Sequence, residues 1–249
     1  YKAGMNLVQE KRFDQAIESF ERGLRLEPTS LLLLNALGAT YSLKENKENA
    51  QQYFLKALDL SPEFEPARKN LAIGYFESGK YDLAAQEFER LLHSSGSQAV
   101  AHLFLGMICE KRKQYKQAIE FLEKAEDLVF GYPQAVLSLA QSLCESDQLE
   151  KSSQVLDRLG EASGLSVGDW FQAGILYSQL GQYHQALKNF ERAKQTDPDL
   201  KGVDYQRALV LDKMGRSKEA LRLLQELTSK EPDARSFNLL GHVAENARE

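Results

Sequence analysis

Hydrophobic residues recur along this chain at intervals of three and four positions. In one stretch, Trp170, Ala173 and Tyr177 share one face of a predicted helix, and Ala186 and Phe190 share a face of the next one. Such spacing is typical of amphipathic α-helices, whereas strands show alternation of apolar and polar residues. The pattern therefore predicts pairs of short helices joined by turns.

The same pattern returns every 34 residues, so that three columns of equivalent residues run through seven copies. Columns in register over this many copies indicate a repeat protein, in which each unit completes its core by stacking on its neighbours. The first column is small, the second is almost entirely alanine, and the third is aromatic or leucine. These columns are Gly4, Gly38, Ala72, Gly106, Ala140, Gly174 and Ala208; Ala16, Ala50, Ala84, Ala118, Ser152, Ala186 and Ala220; and Phe20, Phe54, Phe88, Leu122, Leu156, Phe190 and Leu224.

The turn between the two helices of a copy is predicted at a recurring glycine. Gly79, Gly181 and Gly215 occupy this place in three copies, and glycine adopts the left-handed conformation that ends a helix at no steric cost. The other four copies have a larger residue there, which we expect to weaken the turn without abolishing it. These residues are Lys11, Glu45, Lys113 and Asp147.

The columns resemble those of the tetratricopeptide repeat family, which combines a period of 34 with two antiparallel helices per unit. The resemblance covers essentially the whole chain. It implies an all-α fold, a right-handed α-solenoid (superhelix) of about seven helix-turn-helix repeats plus a C-terminal helix. We expect a single array over residues 1–249, with repeats near 1–30, 31–64, 65–98, 99–132, 133–166, 167–200 and 201–234 and a capping helix at 235–249. The best matches are Trp170, Gly174, Tyr177, Ala186, Phe190, Ala193 and Pro198 in copy six, and Leu37, Gly38, Tyr41, Ala50, Phe54, Ala57 and Pro62 in copy two.

Charge and hydropathy exclude two classes of partner. The net charge of −5 argues against a surface that binds nucleic acid phosphates, and no apolar stretch of 18 residues is present to insert into a membrane. The sequence starts at Tyr1, without methionine and within a predicted helix, so we expect it to be a piece of a longer or processed protein. Its compartment and any flanking domains are therefore not determined, with only a slight preference for the cytoplasm.

No constellation of residues predicts catalysis. The segment from Gly74 to Lys80 resembles a phosphate-binding loop, but Tyr81 follows the lysine where such a loop needs Ser or Thr, and no strand precedes it. The four histidines have no second ligand at a spacing that would complete a metal site. We therefore expect a protein that is not an enzyme and holds neither a metal nor a cofactor.

The resemblance implies that the first helix of each repeat lines a concave groove through its second, fifth, ninth and twelfth positions. In this sequence those positions hold mostly large apolar residues, where a solvated surface would carry charged ones. A continuous exposed apolar surface of this kind marks an interaction site. The predicted binding residues are Tyr1, Met5 and Val8; Lys69, Ile73 and Phe76; Leu103 and Met107; Leu137 and Gln141; Phe171 and Ile175; and Tyr205 and Leu209.

These features predict a scaffold or adaptor whose groove binds an apolar or amphipathic segment of another protein or peptide. If the groove residues face solvent, the substitutions Leu103→Glu and Met107→Glu should remove binding and leave the fold intact. Two alternatives remain open. The first is that the chain is a regulatory or substrate-presenting part of a larger enzyme. The second is that it associates with further copies of itself into a homo-oligomer.

Overall fold

Short turns join fifteen α-helices in the part of the chain that the structure describes. The structure is a computed structural model, and it describes residues 1–94, 96–161, 164–230 and 232–246. It contains no strand within these ranges, which confirms the predicted all-α fold. The helices are α1 Lys2–Gln9, α2 Phe13–Leu26, α3 Leu31–Leu43, α4 Lys47–Leu60, α5 Glu65–Glu77, α6 Tyr81–Leu91, α7 Gln98–Lys111, α8 Tyr115–Lys124, α9 Pro133–Glu145, α10 Leu149–Asp157, α11 Val167–Gln179, α12 Tyr183–Thr196, α13 Val203–Lys213, α14 Ser217–Lys230 and α15 Ala234–Asn246.

The helices are grouped into two compact units. Unit 1 comprises Tyr1–Arg112 with Glu120–Leu128, and unit 2 comprises Lys113–Ile119 with Val129–Glu249. Within unit 1, α1 packs on α2, α3 on α4 and α5 on α6, and each of these hairpins contacts the next. Within unit 2, the pairs are α9 with α10, α11 with α12, and α13 with α14, followed by α15. The single array and its repeat boundaries stay a prediction.

Close contact between the two helices of a hairpin explains the column of small residues. A Cβ atom added to Gly38 would lie 2.4 Å from a ring carbon of Phe54, and one added to Gly174 would lie 2.5 Å from a ring carbon of Phe190. Both rings are buried. The absent side chain therefore lets the second helix seat its ring directly against the backbone of the first, and this contact forms the centre of the hairpin.

The turn inside each hairpin keeps one backbone conformation in all seven copies. Gly79, Gly181 and Gly215 have φ values of 70°, 72° and 75°, which confirms the predicted left-handed turn. The larger residues at the same place adopt it as well, although this region disfavours side chains with a Cβ atom. Their φ values are 58° at Lys11, 59° at Glu45, 58° at Lys113 and 60° at Asp147.

Ion pairs join neighbouring elements at two partly buried places. In unit 1, Arg68 donates to the Glu87 carboxylate and to the Pro62 carbonyl. In unit 2, the Asp204 carboxylate lies 2.9 Å from both Lys194 Nζ and Arg207 Nη1. Burial of Asp204 would raise its pKa, but the hydrogen bonds from the two cations outweigh it, so the pKa lies below its ordinary value.

The last described helix, α15, packs on α13 and α14 through the buried residues Ser236, Leu239 and Val243. The final residues of the predicted capping helix at 235–249, residues 247–249, lie outside the described ranges. Among the helices that the structure describes, none combines the length and apolar character needed to cross a bilayer.

Candidate protein-interaction wall

The first-helix wall is defined here as the fourteen predicted binding residues, of which Tyr1 directly precedes α1 and the others lie on α1, α5, α7, α9, α11 and α13. Three of them are buried: Leu103 is 0%, Met107 3% and Leu137 1% exposed. Tyr1 is 53% exposed, and the other ten are partly buried: Met5, Val8, Lys69, Ile73, Phe76, Gln141, Phe171, Ile175, Tyr205 and Leu209.

The expected exposure of Leu103, Met107 and Leu137 is wrong. First helices of neighbouring copies contact each other directly, as α5 does with α7 and α9 does with α11. A long side chain at the fifth or ninth position can therefore be covered by the adjacent first helix instead of facing solvent. These three residues belong to the core, and a carboxylate at position 103 or 107 would be buried there.

In unit 1, the partly buried wall residues also serve the internal packing. Met5 and Val8 lie against a core cluster that contains Phe20 and Leu33. The Tyr1 ring centroid lies 6.1 Å from that of Phe20. Because these side chains already pack against the core, only the part of their surface that remains exposed can contact a partner.

An aromatic group links α5 to α7 within unit 1. The Phe76 ring meets Phe104 edge to face at a centroid distance of 5.1 Å, and Phe104 stacks on Phe88 at 4.8 Å. Phe76 also lies 5.6 Å from Tyr81. Phe76 is thus held in place, with part of its surface open, while Phe104 is buried.

Copy two has two further residues at the same first-helix positions, which the sequence-based prediction omitted. Leu32, at the second position, is 58% exposed. Asn35, at the fifth position, accepts a hydrogen bond of 3.0 Å from the Asn70 side-chain amide on α5. The same register that placed the other residues places these two, so the signal was present in the sequence.

In unit 2, four large side chains are partly exposed on two first helices that contact each other, α11 and α13. Phe171 and Ile175 lie on α11, and Tyr205 and Leu209 lie on α13. The Phe171 ring packs 5.7 Å from that of Phe190, and its tip reaches to 4.0 Å from the place where a side chain on Gly202 would begin. These four residues form the largest group of partly exposed apolar side chains among the predicted fourteen.

Polar groups flank this apolar group in unit 2. The Gln141 side-chain amide donates to Glu145 at 2.8 Å on α9, and the Cys144 thiol lies 3.9 Å from the Gln179 side-chain oxygen. Asp212 accepts hydrogen bonds from Asn246 and Ser217. The first-helix face therefore carries amides that can bond to a peptide backbone beside side chains that can bury apolar surface.

The thiols in the described residues lack the environment of a nucleophile. Burial raises the pKa of both Cys109 and Cys144, and a thiol with a raised pKa is mostly protonated and unreactive at neutral pH. The arrangement is suited to binding through shape, apolar area and amide hydrogen bonds.

Two curated proteins align in sequence with most of the chain. Anaphase-promoting complex subunit 3 of Schizosaccharomyces pombe is 26% identical over 188 residues, which cover 76% of this chain and 28% of that protein. Protein O-mannosyl-transferase TMTC3 of Homo sapiens is 22% identical over 246 residues, covering 97% of this chain and 25% of that protein. The chain thus spans about a quarter of the length of these relatives.

A solved structure and sequence profiles agree with this similarity. The structure of pilF from Pseudomonas aeruginosa superposes with a TM-score of 0.71 at 18% identity, over 85% of this chain and 95% of that chain. Profiles of the tetratricopeptide repeat match residues 1–30, 32–64, 69–143 and 177–243. Proteins built from these repeats generally act as non-enzymatic scaffolds for protein interactions. With the period, the hairpins and the profile matches in agreement, the chain belongs to the tetratricopeptide repeat family.

Proposed function

We propose that this chain is a non-enzymatic interaction module that binds an apolar or amphipathic segment of another polypeptide on the first-helix wall. The observation that carries the proposal is the group formed by Phe171, Ile175, Tyr205 and Leu209 in unit 2. These side chains are partly exposed on two adjacent helices, although charged residues would solvate the surface better. Aromatic and large aliphatic residues are enriched at protein interfaces for the area they bury.

The burial of these residues limits the affinity. Complete burial of a large apolar side chain contributes about 1.5–3 kcal/mol, and a side chain that is already partly buried contributes about half of that. Four such anchors supply about 3–6 kcal/mol before ordering costs, which alone supports binding in the millimolar range. Hydrogen bonds from polar wall residues such as Gln141 to the partner backbone therefore have to strengthen the complex.

A selection from a random twelve-residue peptide library tests the proposal on the intact chain. We expect enriched peptides that carry two or more large apolar residues, and at least tenfold weaker binding of those peptides to the variant Ile175→Glu/Leu209→Glu. Leu149→Glu is the matched control, because Leu149 is an exposed leucine on a second helix, α10. Circular dichroism should be alike for all three proteins. Equal binding by the wall variant and the wild type would contradict the proposal.

A second candidate is a regulatory or substrate-presenting region within a larger enzyme. It is favoured by the alignment of nearly the whole chain with a quarter of a human transferase. In that case the catalytic residues lie outside residues 1–249, and the full-length reading frame would encode them. Self-association is the remaining alternative, and it predicts a light-scattering mass that rises with protein concentration.

A further inference from the structure

One position in the repeat is filled by a buried side chain in five copies and is vacant in copy three. The tenth position of the first helix, two residues after the small column, is Gly74 in copy three. The residues at this position in copies two and four to seven are all buried, and three of them are branched aliphatic, whereas copy one has an exposed asparagine, Asn6, at this place. The five buried residues are Thr40, Ile108, Ser142, Leu176 and Val210.

Local structure does not require a glycine at position 74. Gly74 lies inside α5 and has no positive φ, so any residue could adopt its backbone conformation. A Cβ atom added there would meet no other atom within 4 Å. Glycine inside a helix lowers the free energy of unfolding by about 1 kcal/mol relative to alanine. Copy three therefore lacks both this contribution and the packing of a side chain.

The vacant position opens into a cavity of about 260 Å³ between α3, α4 and α5 within unit 1. We call it the Gly74 cavity. Ala50, Phe54 and Leu71, all buried, line it beside Gly74. Sites for drug-sized ligands span about 300–1,000 Å³. The Gly74 cavity is smaller, but it is large enough for a leucine or isoleucine side chain with space left over, since a cavity of about 150 Å³ holds a benzene molecule.

The mouth of the cavity is polar and electrically balanced. Lys47, Glu48, Glu77 and Lys80 are exposed around it, and no ion pair found among the described residues includes any of them. Lys47 Nζ donates to the Glu77 backbone carbonyl at 3.4 Å. Two positive and two negative groups favour no net charge in the occupant, whereas donors and acceptors side by side suit the N–H and C=O groups of a peptide backbone.

Hydrogen-bonding groups also lie next to the apolar floor. The Gln51 side-chain amide is 3.4 Å from the Tyr75 hydroxyl, a long contact that leaves the amide able to bond elsewhere. Lys80 Nζ sits 5.9 Å from the centre of the Tyr75 ring. An apolar pocket inside a polar rim is the arrangement in which a single anchoring side chain contributes most to a protein interface.

We propose that the Gly74 cavity binds one branched aliphatic side chain, of the size of leucine or isoleucine, presented by another polypeptide. The occupant restores the side chain that the other copies supply at this position. This site is separate from the first-helix wall of unit 2 and does not depend on the function proposed for that wall.

Protein-observed NMR of the whole chain with capped amino acids tests this site. N-acetyl-leucinamide should cause saturable shifts of amides near Gly74, Phe54 and Leu71, and N-acetyl-asparaginamide should bind at least tenfold more weakly. Free leucine should bind no more tightly than N-acetyl-leucinamide, because ion pairs with lysine and glutamate side chains as exposed as those of the rim contribute little. Equal shifts with the asparagine probe would overturn the proposal. Tighter binding of free leucine would overturn the polypeptide source and assign the cavity to a free amino acid.

Two substitutions at position 74 separate the cavity from its ligand. Gly74→Val occupies the part of the cavity next to α5, so it should weaken leucinamide binding at least tenfold and raise the Tm by about 2–4 °C. Gly74→Ala should raise the Tm as well but retain most of the shifts, because a single methyl leaves room. A lower Tm for both variants would show that the space is absent. The wall variant Ile175→Glu/Leu209→Glu should bind leucinamide like the wild type, and loss of binding there would overturn the independence of the two sites.

Discussion

Two residues at the same repeat position differ in burial, and truncating each of them tests that difference. Met107 and Ile73 both occupy the ninth position of a first helix within unit 1, on α7 and α5. Met107 is 3% exposed and Ile73 is only partly buried. Truncation of a fully buried methionine to alanine costs about 2–5 kcal/mol. For a side chain that still contacts water the lost transfer energy is smaller, about 1–2 kcal/mol.

Met107→Ala should therefore lower the free energy of unfolding more than Ile73→Ala does, by about 2 kcal/mol at the centres of the two ranges. Urea unfolding followed by circular dichroism measures the loss. Native-state hydrogen exchange of the amides in α7 and α5 shows whether it acts on unit 1 as a whole or only on one hairpin. Equal losses at the two positions would refute the burial difference, and with it the assignment of Met107 to the core.

Two other substitutions test contacts in unit 2. Gly174→Ala would place a Cβ atom 2.5 Å from a ring carbon of Phe190, so overpacking of about 1–3 kcal/mol should exceed the helix-propensity gain of about 1 kcal/mol; a higher urea midpoint would contradict this. Asp204 has a lowered pKa owing to hydrogen bonds from Lys194 and Arg207 that outweigh its burial. The stability it contributes is present above its unfolded pKa, near 3.8, and is lost as the pH falls through the lower folded value. Asp204→Asn should therefore lower stability at pH 7 and flatten its decline below about pH 4, and an unchanged pH profile would count against the pair.

The fold could be predicted because the repeat columns record contacts that each hairpin makes with itself. The small residue at Gly174 and the ring at Phe190 are sixteen positions apart and touch, and this spacing returns in each copy. A turn residue can change from Gly181 to Asp147 without changing its backbone conformation, so the period survives substitutions that weaken single turns. Local and periodic constraints of this kind are visible in one sequence.

The burial of each residue of the first-helix wall could not be predicted, because it depends on which neighbouring side chains cover that residue. The repeat register shows that Met107 and Ile73 occupy equivalent positions. It does not show that Met107 is buried and Ile73 only partly so. In unit 1, Phe104 fills the space between Phe76 and Phe88, and such bulk closes the surface beside it. Coverage arises from contacts between copies, whose side chains differ, and the 34-residue period carries no information about them.

In a repeat protein, an unusual residue can be compared with the residues at the same position in the other copies. Gly181 is explained by its positive φ, and Gly174 by the ring that lies against it. Gly74 has neither explanation, and in five of the six other copies its position holds a buried side chain. A departure that lowers stability and serves no contact within the chain is best explained by a contact outside it, because native interiors otherwise leave few such voids. By the same reasoning, the buried Leu103 and Met107 require no partner.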